Sequence, residues 1–309
     1  MARIPRLLIQ GEPSVYHVIS RTALTGYPMG DVEKEHFVKL LQKLSSVYFV
    51  EIFGFSAMGS HFHLALRMHT DEGVADDEVR RRFRIYCGPE NKRELTDGQI
   101  PSLRAKWCSL SEFVKELKQT FSRWYNRTHG RKGTFWTERF KSVLVEEGDT
   151  LINLLAYVDL NAVRAGIVQR PEQYRWCSLG YHVQTGNQGN FLSLNFGLAP
   201  FATLSPEQRL RYYRRFVYEV GSLPSDKGAK IAPEIIAKEE KVGFELKAVD
   251  RFRYRTRHFT DSGVIGTKEF VSACYWRFQH HFTCRHEKKP RPIQGLDGVF
   301  SLKRLRETL

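Results

Sequence analysis

The first half of this 309-residue chain predicts an α+β fold: an antiparallel sheet of four to five strands, helices packed on one face and a site on the other. Three observations carry that expectation. In Ser60-His61-Phe62-His63-Leu64-Ala65-Leu66 the side chains alternate, sending Phe62, Leu64 and Leu66 to a core and His61 and His63 to the opposite face of a strand. Short alternating runs are separated by longer stretches of helical period. The 41% hydrophobic content supplies a core without covalent staples. The second half reads as a basic, mostly helical extension.

In order, Tyr16 to Arg21 (YHVISR) reads as a first strand. Asp31 to Phe49 follows as a helix, with Phe37, Leu40, Leu41, Leu44 and Val47 at helical spacing. Glu51 to Met58 and His61 to Met68 are hairpin partners joined through Gly59-Ser60. Residues 70–108 form a charged, solvated insertion with one short helix around Asp76 to Tyr86, broken by Gly88-Pro89 and Gly98. From Leu110, the residues Phe113, Leu117, Phe121 and Trp124 mark one helical face. Gly133 to Val145 is a turn followed by a fourth strand. Asp149 caps a helix from Thr150 to Val163, with Gly166 as its stop signal. On that helix Leu151, Leu154, Leu155, Val158 and Ala162 form the apolar stripe, while Tyr157 and Asn161 stand together on its flank as an i, i+4 pair.

Charge narrows the function. Lys and Arg number 48 against 34 Asp and Glu, a formal +14, which favours a polyanion such as nucleic acid. A membrane is disfavoured, since no run approaches the roughly 18 apolar residues of a span. The five cysteines are odd in number and contain no C-x-x-C pair, and the N-terminus lacks a secretory h-region, so a cytoplasmic location is expected.

Two imidazoles on one strand face make half of a divalent-cation site, and the spacing by itself leaves the third ligand open. The segments YHVISR, MGSHFHLAL, LKQTFSRWYNRTHG, FWTERFKSVLVE and LLAYVDLNAVRAGIV, spanning about residues 14 to 182, together resemble the single-tyrosine transposases of the His-hydrophobic-His superfamily. The resemblance is closest to the REP-associated tyrosine transposases. It implies a ferredoxin-like sheet of the His-hydrophobic-His endonuclease type, His61 and His63 as the metal pair, Asn161 as third ligand and Tyr157 as nucleophile. It also implies a hairpin or imperfect palindrome as substrate. The chain departs from the family at Met58-Gly59-Ser60, where Met-Pro-Asn is frequent, and at Asn161-Ala162-Val163, where Asn-Pro-Val is common.

The implied chemistry is consistent. A free phenol titrates near pH 10 and is a weak nucleophile at neutral pH, so Mg²⁺ or Mn²⁺ would neutralise the charge that grows as it attacks a phosphodiester. The products would be a 5′-phosphotyrosine and a free 3′-hydroxyl, with the bond energy kept for rejoining. No phosphate-cradling G-x-x-x-x-G-K-[ST] is present, and none is required. The rival reading is a non-catalytic binder of structured DNA or RNA hairpins on the same fold.

Phosphates would be held by Lys115, Lys118, Arg123, Arg127, Arg139, Lys141 and Arg164. In the second half Arg251, Arg253, Arg255 and Arg257 alternate with rings and, if extended, share one face. The expected organisation is a catalytic domain over 1–183, a linker over 184–204 and an accessory DNA-recognition region over 205–309. There a helix from Pro206 to Val220 exposes Arg211, Arg214 and Arg215, and a second helix runs from Thr267 to His281. Monomer and homodimer are both compatible with the sequence.

Overall fold

The computed structural model describes residues 8–9, 11–90, 93–223, 228–246, 265–277, 279, 288–292, 298 and 300–302. Its centre is a four-stranded antiparallel sheet of β1 (Ser14–Arg21), β2 (Val50–Ala57), β3 (His61–Met68) and β4 (Lys141–Val145), in the order β2-β3-β1-β4. Helix α1 (Asp31–Ser45) connects β1 to the β2–β3 hairpin, and α4 (Leu110–Thr128) precedes β4. This is the βαββαβ arrangement of a ferredoxin-like sheet, as expected. In register, Ile19 faces His63 and Arg21 faces His61 across β1 and β3, while Ile19 faces Lys141 and His17 faces Val143 across β1 and β4.

Period-two alternation sends the two sets of side chains to different cores. Tyr16, Val18, Phe62, Leu64 and Leu66 pack with Phe37 and Leu41 of α1 and with Phe113, Leu117 and Phe121 of α4. On the second face Val15, Phe53 and Ala65 meet Leu151, Ile152 and Leu155 of α5 (Asp149–Asp159), so helices cover part of the site face too. Gly54 permits that approach. A Cβ there would lie 2.5 Å from Leu155 Cδ2 and 2.8 Å from Ser178 Oγ, and β2 shifts register at this position.

Several expectations are corrected. The 70–108 insertion holds two α-helices, α2 (Asp76–Cys87) and α3 (Ile100–Trp107), and adds Val79, Leu95, Ile100 and Trp107 to the first core. Its charge density hid apolar residues spaced too widely to form one stripe. The helix expected over 150–163 is two, α5 and the short α6 (Asn161–Arg164), parted at Leu160. Asn161 Nδ2 donates to the Val158 carbonyl at 3.1 Å, a side-chain bond that competes with the helical ladder.

Residues 184–204 are no linker. Phe191 and Leu192 enter the first core, Phe196 and Phe201 the second, and Ser193 N donates to Ile52 O at 2.8 Å. Polarity at 184–190 suggested a solvated tether, but the apolar residues that follow are buried. Nor is 205–246 separate from the first region. Helix α8 (Pro206–Ser222) places Tyr213, Val217 and Tyr218 in the second core, where Tyr213 donates to the Asp159 carboxylate. Asp159 also accepts from Ser178 Oγ at 2.7 Å and from Leu179 N at 2.9 Å, in α7 (Ser178–Thr185) and at its start; burial pushes its carboxyl up to about 6.

Arg214, expected on the surface, is buried. It donates to Glu172, and at 2.7 Å to Glu239 of α9 (Pro233–Lys241), so its charge is compensated inside the fold. Farther on, α10 (Lys268–Arg277) accompanies a small sheet of β5 (Ile265–Gly266), β7 (Phe300–Ser301) and β6 (Arg291–Pro292). No helix among the described residues is long and apolar enough to cross a membrane.

One acid-sensitive group follows from this packing. His182 is buried, its Nε2 has no hydrogen-bond partner among the described residues, and burial pushes its pKa down to about 4. The unfolded chain takes up this proton near pH 6.5, whereas the folded chain resists until about pH 4. Stability present above pH 6.5 is therefore lost as pH falls through that window, by about 2 kcal/mol at pH 5. His182→Phe should remove this slope, so that urea unfolding at pH 5 favours the variant more than at pH 7.5. An unchanged difference at the two pH values would count against it.

Candidate active site on the histidine face of the sheet

The alternation of β3 puts His61 and His63 on the face covered in part by α5, with ring centroids 5.1 Å apart and nearly perpendicular. His63 is buried, 4% exposed, while His61 is half-buried. Each Nδ1 has a partner: Ser60 Oγ stands 3.2 Å from that of His61, and His17 Nε2 stands 3.0 Å from that of His63. Burial, reinforced by His17, His61 and Arg21, pushes His63 down to about 3; burial alone takes His17 to about 4; His61 is lowered by burial and by Arg21. Neutral imidazoles are what a cation needs, since a protonated ring has no lone pair to give.

Helix α5 brings Tyr157 to this face. Its ring lies edge-on to His63 at 5.8 Å and to His17 at 6.3 Å, and is 42% exposed. The Arg164 guanidinium sits over the same ring, 5.3 Å from its centroid. The location of Tyr157 follows from two anchors, the apolar stripe Leu151–Leu155 on the sheet and Asp159 locked to α7 and α8 two residues later.

Asn161 is not joined to either imidazole by any contact among the described residues. Its Nδ2 is engaged by Val158 O, which leaves Oδ1 as the atom able to ligate. Among the described residues no three of His, Cys, Asp and Glu gather as a cation site. The donors that the described residues bring together for a divalent ion are the two imidazoles, and further positions would fall to water or phosphate oxygens.

No family model and no curated protein matches the chain. Among solved structures the chain is similar to a REP-associated tyrosine transposase bound to a REP hairpin, at 14% identity over 60% of this chain and 87% of that one, with a TM-score of 0.41. It is also similar to a candidate transposase from Deinococcus radiodurans R1, at 16% identity over 52% of this chain and 96% of that one, with a TM-score of 0.27.

The basic residues do not gather on one surface. Lys115, Lys118, Arg123 and Arg139 line one groove of about 1080 Å³ between α4 and the loop leading into β4. There Lys115 pairs with Glu112 at 3.1 Å and Lys118 Nζ donates to Glu138 O at 2.6 Å. Phe135 and Trp136 are buried beside it, so their faces are spent on the core. Arg127 is exposed at the end of α4. Lys141 belongs to the histidine face: it stands in the row Lys141–Ile19–His63 across the sheet. Arg251, Arg253, Arg255 and Arg257 lie outside the described residues.

Two residues of this face escaped the sequence reading. His17 and Arg21 share it with His61 and His63, and the alternation of YHVISR could have flagged them, since Tyr16 and Val18 claim the core side. What was missing was the antiparallel register that sets β1 beside β3.

Proposed function

We propose that this protein is a divalent-metal-dependent enzyme that cleaves and rejoins single-stranded or hairpin DNA through Tyr157, as a transposase does. The observation that carries the reading is the contact of the Tyr157 ring with His63, with Arg164 over the ring and Lys141 and Arg21 on the same sheet face. Arg164 sets positive charge on the phenol ring itself, and Arg21 and Lys141 add cations to the same sheet face, where they could hold phosphates.

In the proposed step Tyr157 Oη attacks phosphorus, the bond from phosphorus to the 3′ oxygen breaks, and the phenolic proton leaves to solvent as the departing 3′ oxygen takes one up. The result is a 5′-phosphotyrosine and a 3′-hydroxyl, and the reverse attack rejoins a strand. A Mg²⁺ or Mn²⁺ held by His61, His63 and Asn161 Oδ1 would supply Lewis-acid stabilisation of the phosphate charge. Arg164 and Arg21 add fixed positive charge.

The test is incubation of the full chain with an end-labelled single-stranded hairpin in Mg²⁺ or Mn²⁺. A covalent protein–DNA adduct on a denaturing gel is expected. Binding without adduct across these metals would replace the reading with that of a hairpin-binding protein. Arg164→Ala and Lys141→Ala should each weaken hairpin binding roughly 3- to 10-fold and lower the salt slope by about one, measured by fluorescence anisotropy from 50 to 200 mM salt. An unaltered slope would remove that residue from the phosphate contacts.

A further inference from the structure

The 3.0 Å contact between His17 Nε2 and His63 Nδ1 has a chemical requirement. Both atoms are ring nitrogens, and a hydrogen bond between them holds one proton. If His17 donates, His63 carries its own proton on Nε2 and offers the site an N–H. If His63 donates, its Nε2 is bare and can ligate a cation. Only the second arrangement serves the reaction proposed above, on which this inference rests.

The geometry suits it. His17 is opposite Ala65 in register, so His63 is its diagonal neighbour on the same face, within reach of two imidazoles. The small Ala65 leaves room for the ring, and the two rings are only 18° from parallel with centroids 5.2 Å apart, consistent with an in-plane bond from nitrogen to nitrogen. His61 shows the same pattern with a different acceptor, Ser60 Oγ at Nδ1. In both histidines Nδ1 is occupied and Nε2 is the atom left for the site.

We propose that His17 is a positioning residue: it accepts a hydrogen bond from the Nδ1–H of His63 and so keeps the His63 Nε2 lone pair presented to the metal. Outer partners of this kind fix ring orientation and tautomer, and losing one costs about 10- to 100-fold in metal affinity.

The experiment uses the full chain as wild type, His17→Phe and His17→Gln. Phe keeps a ring but accepts no hydrogen bond, whereas the Gln side-chain oxygen can accept one. Mn²⁺ affinity, read by titration calorimetry, should fall about 10- to 100-fold in His17→Phe and recover most of that loss in His17→Gln. Adduct formation by His17→Phe should return at high Mn²⁺. The direct check is the ¹⁵N spectrum of the His63 ring in the wild type with Mg²⁺, where Nδ1 should carry the proton. It reports on the tautomer even if a variant fails to fold.

A bare Nδ1 with the proton on Nε2 would overturn the inference. So would wild-type Mn²⁺ affinity in His17→Phe, or equal losses in two folded variants, which would assign the ring a packing role. A wild type that binds no Mn²⁺ and forms no adduct would instead bring down the proposed function itself.

Discussion

Tyr157→Phe is expected to abolish the covalent adduct, a loss on the order of 10⁴-fold or more, as happens when the nucleophile of a covalent mechanism is removed. The variant changes little else. Tyr157 is 42% exposed and its hydroxyl has no hydrogen-bond partner among the described residues, so stability should stay within about 0.5 kcal/mol of wild type. The ring stays in place against His63 and beneath Arg164, which act on its faces and edges rather than on the hydroxyl. Hairpin affinity should therefore be retained. A residual adduct at wild-type yield would move the nucleophile elsewhere, and lost binding would mean the ring itself is a DNA contact.

Replacing the histidines should have the second largest effect, and the pair should behave unequally. His61→Ala removes a half-buried ring whose described hydrogen bond is to its neighbour Ser60, so its cost falls on metal binding. Adduct yield is expected to drop roughly 100- to 10,000-fold with little change in melting temperature. His63→Ala should match that catalytic loss and also lower stability by about 1–3 kcal/mol, because it strands the buried His17 Nε2. Chelation with EDTA should copy the catalytic effect in the wild type, with Mn²⁺ restoring it. Adduct formation in EDTA equal to that in Mn²⁺ would sink the metal requirement.

The sheet was legible because period-two alternation is a local property. Phe62, Leu64 and Leu66 against His61 and His63 need no distant residue to declare their faces. The helices α1 and α4 were legible for the same reason, each carrying an apolar stripe at its own period. The insertion and the 184–204 segment were not, because their buried residues, such as Leu95, Phe191 and Phe201, gain their burial from elements far away in sequence.

The site divides in the same way. Sequence alone determined that two imidazoles share a strand face and that a tyrosine and an amide stand four residues apart near a helix end. Tertiary structure decided the rest. Register between β1 and β3 placed His17 against His63, the crossing of α5 over β2 and β3 carried Tyr157 to those rings, and a carboxylate gripped by α7 and α8 anchors the end of that helix. Packing across a sheet joins residues more than a hundred positions apart, and no local pattern encodes which of them will meet.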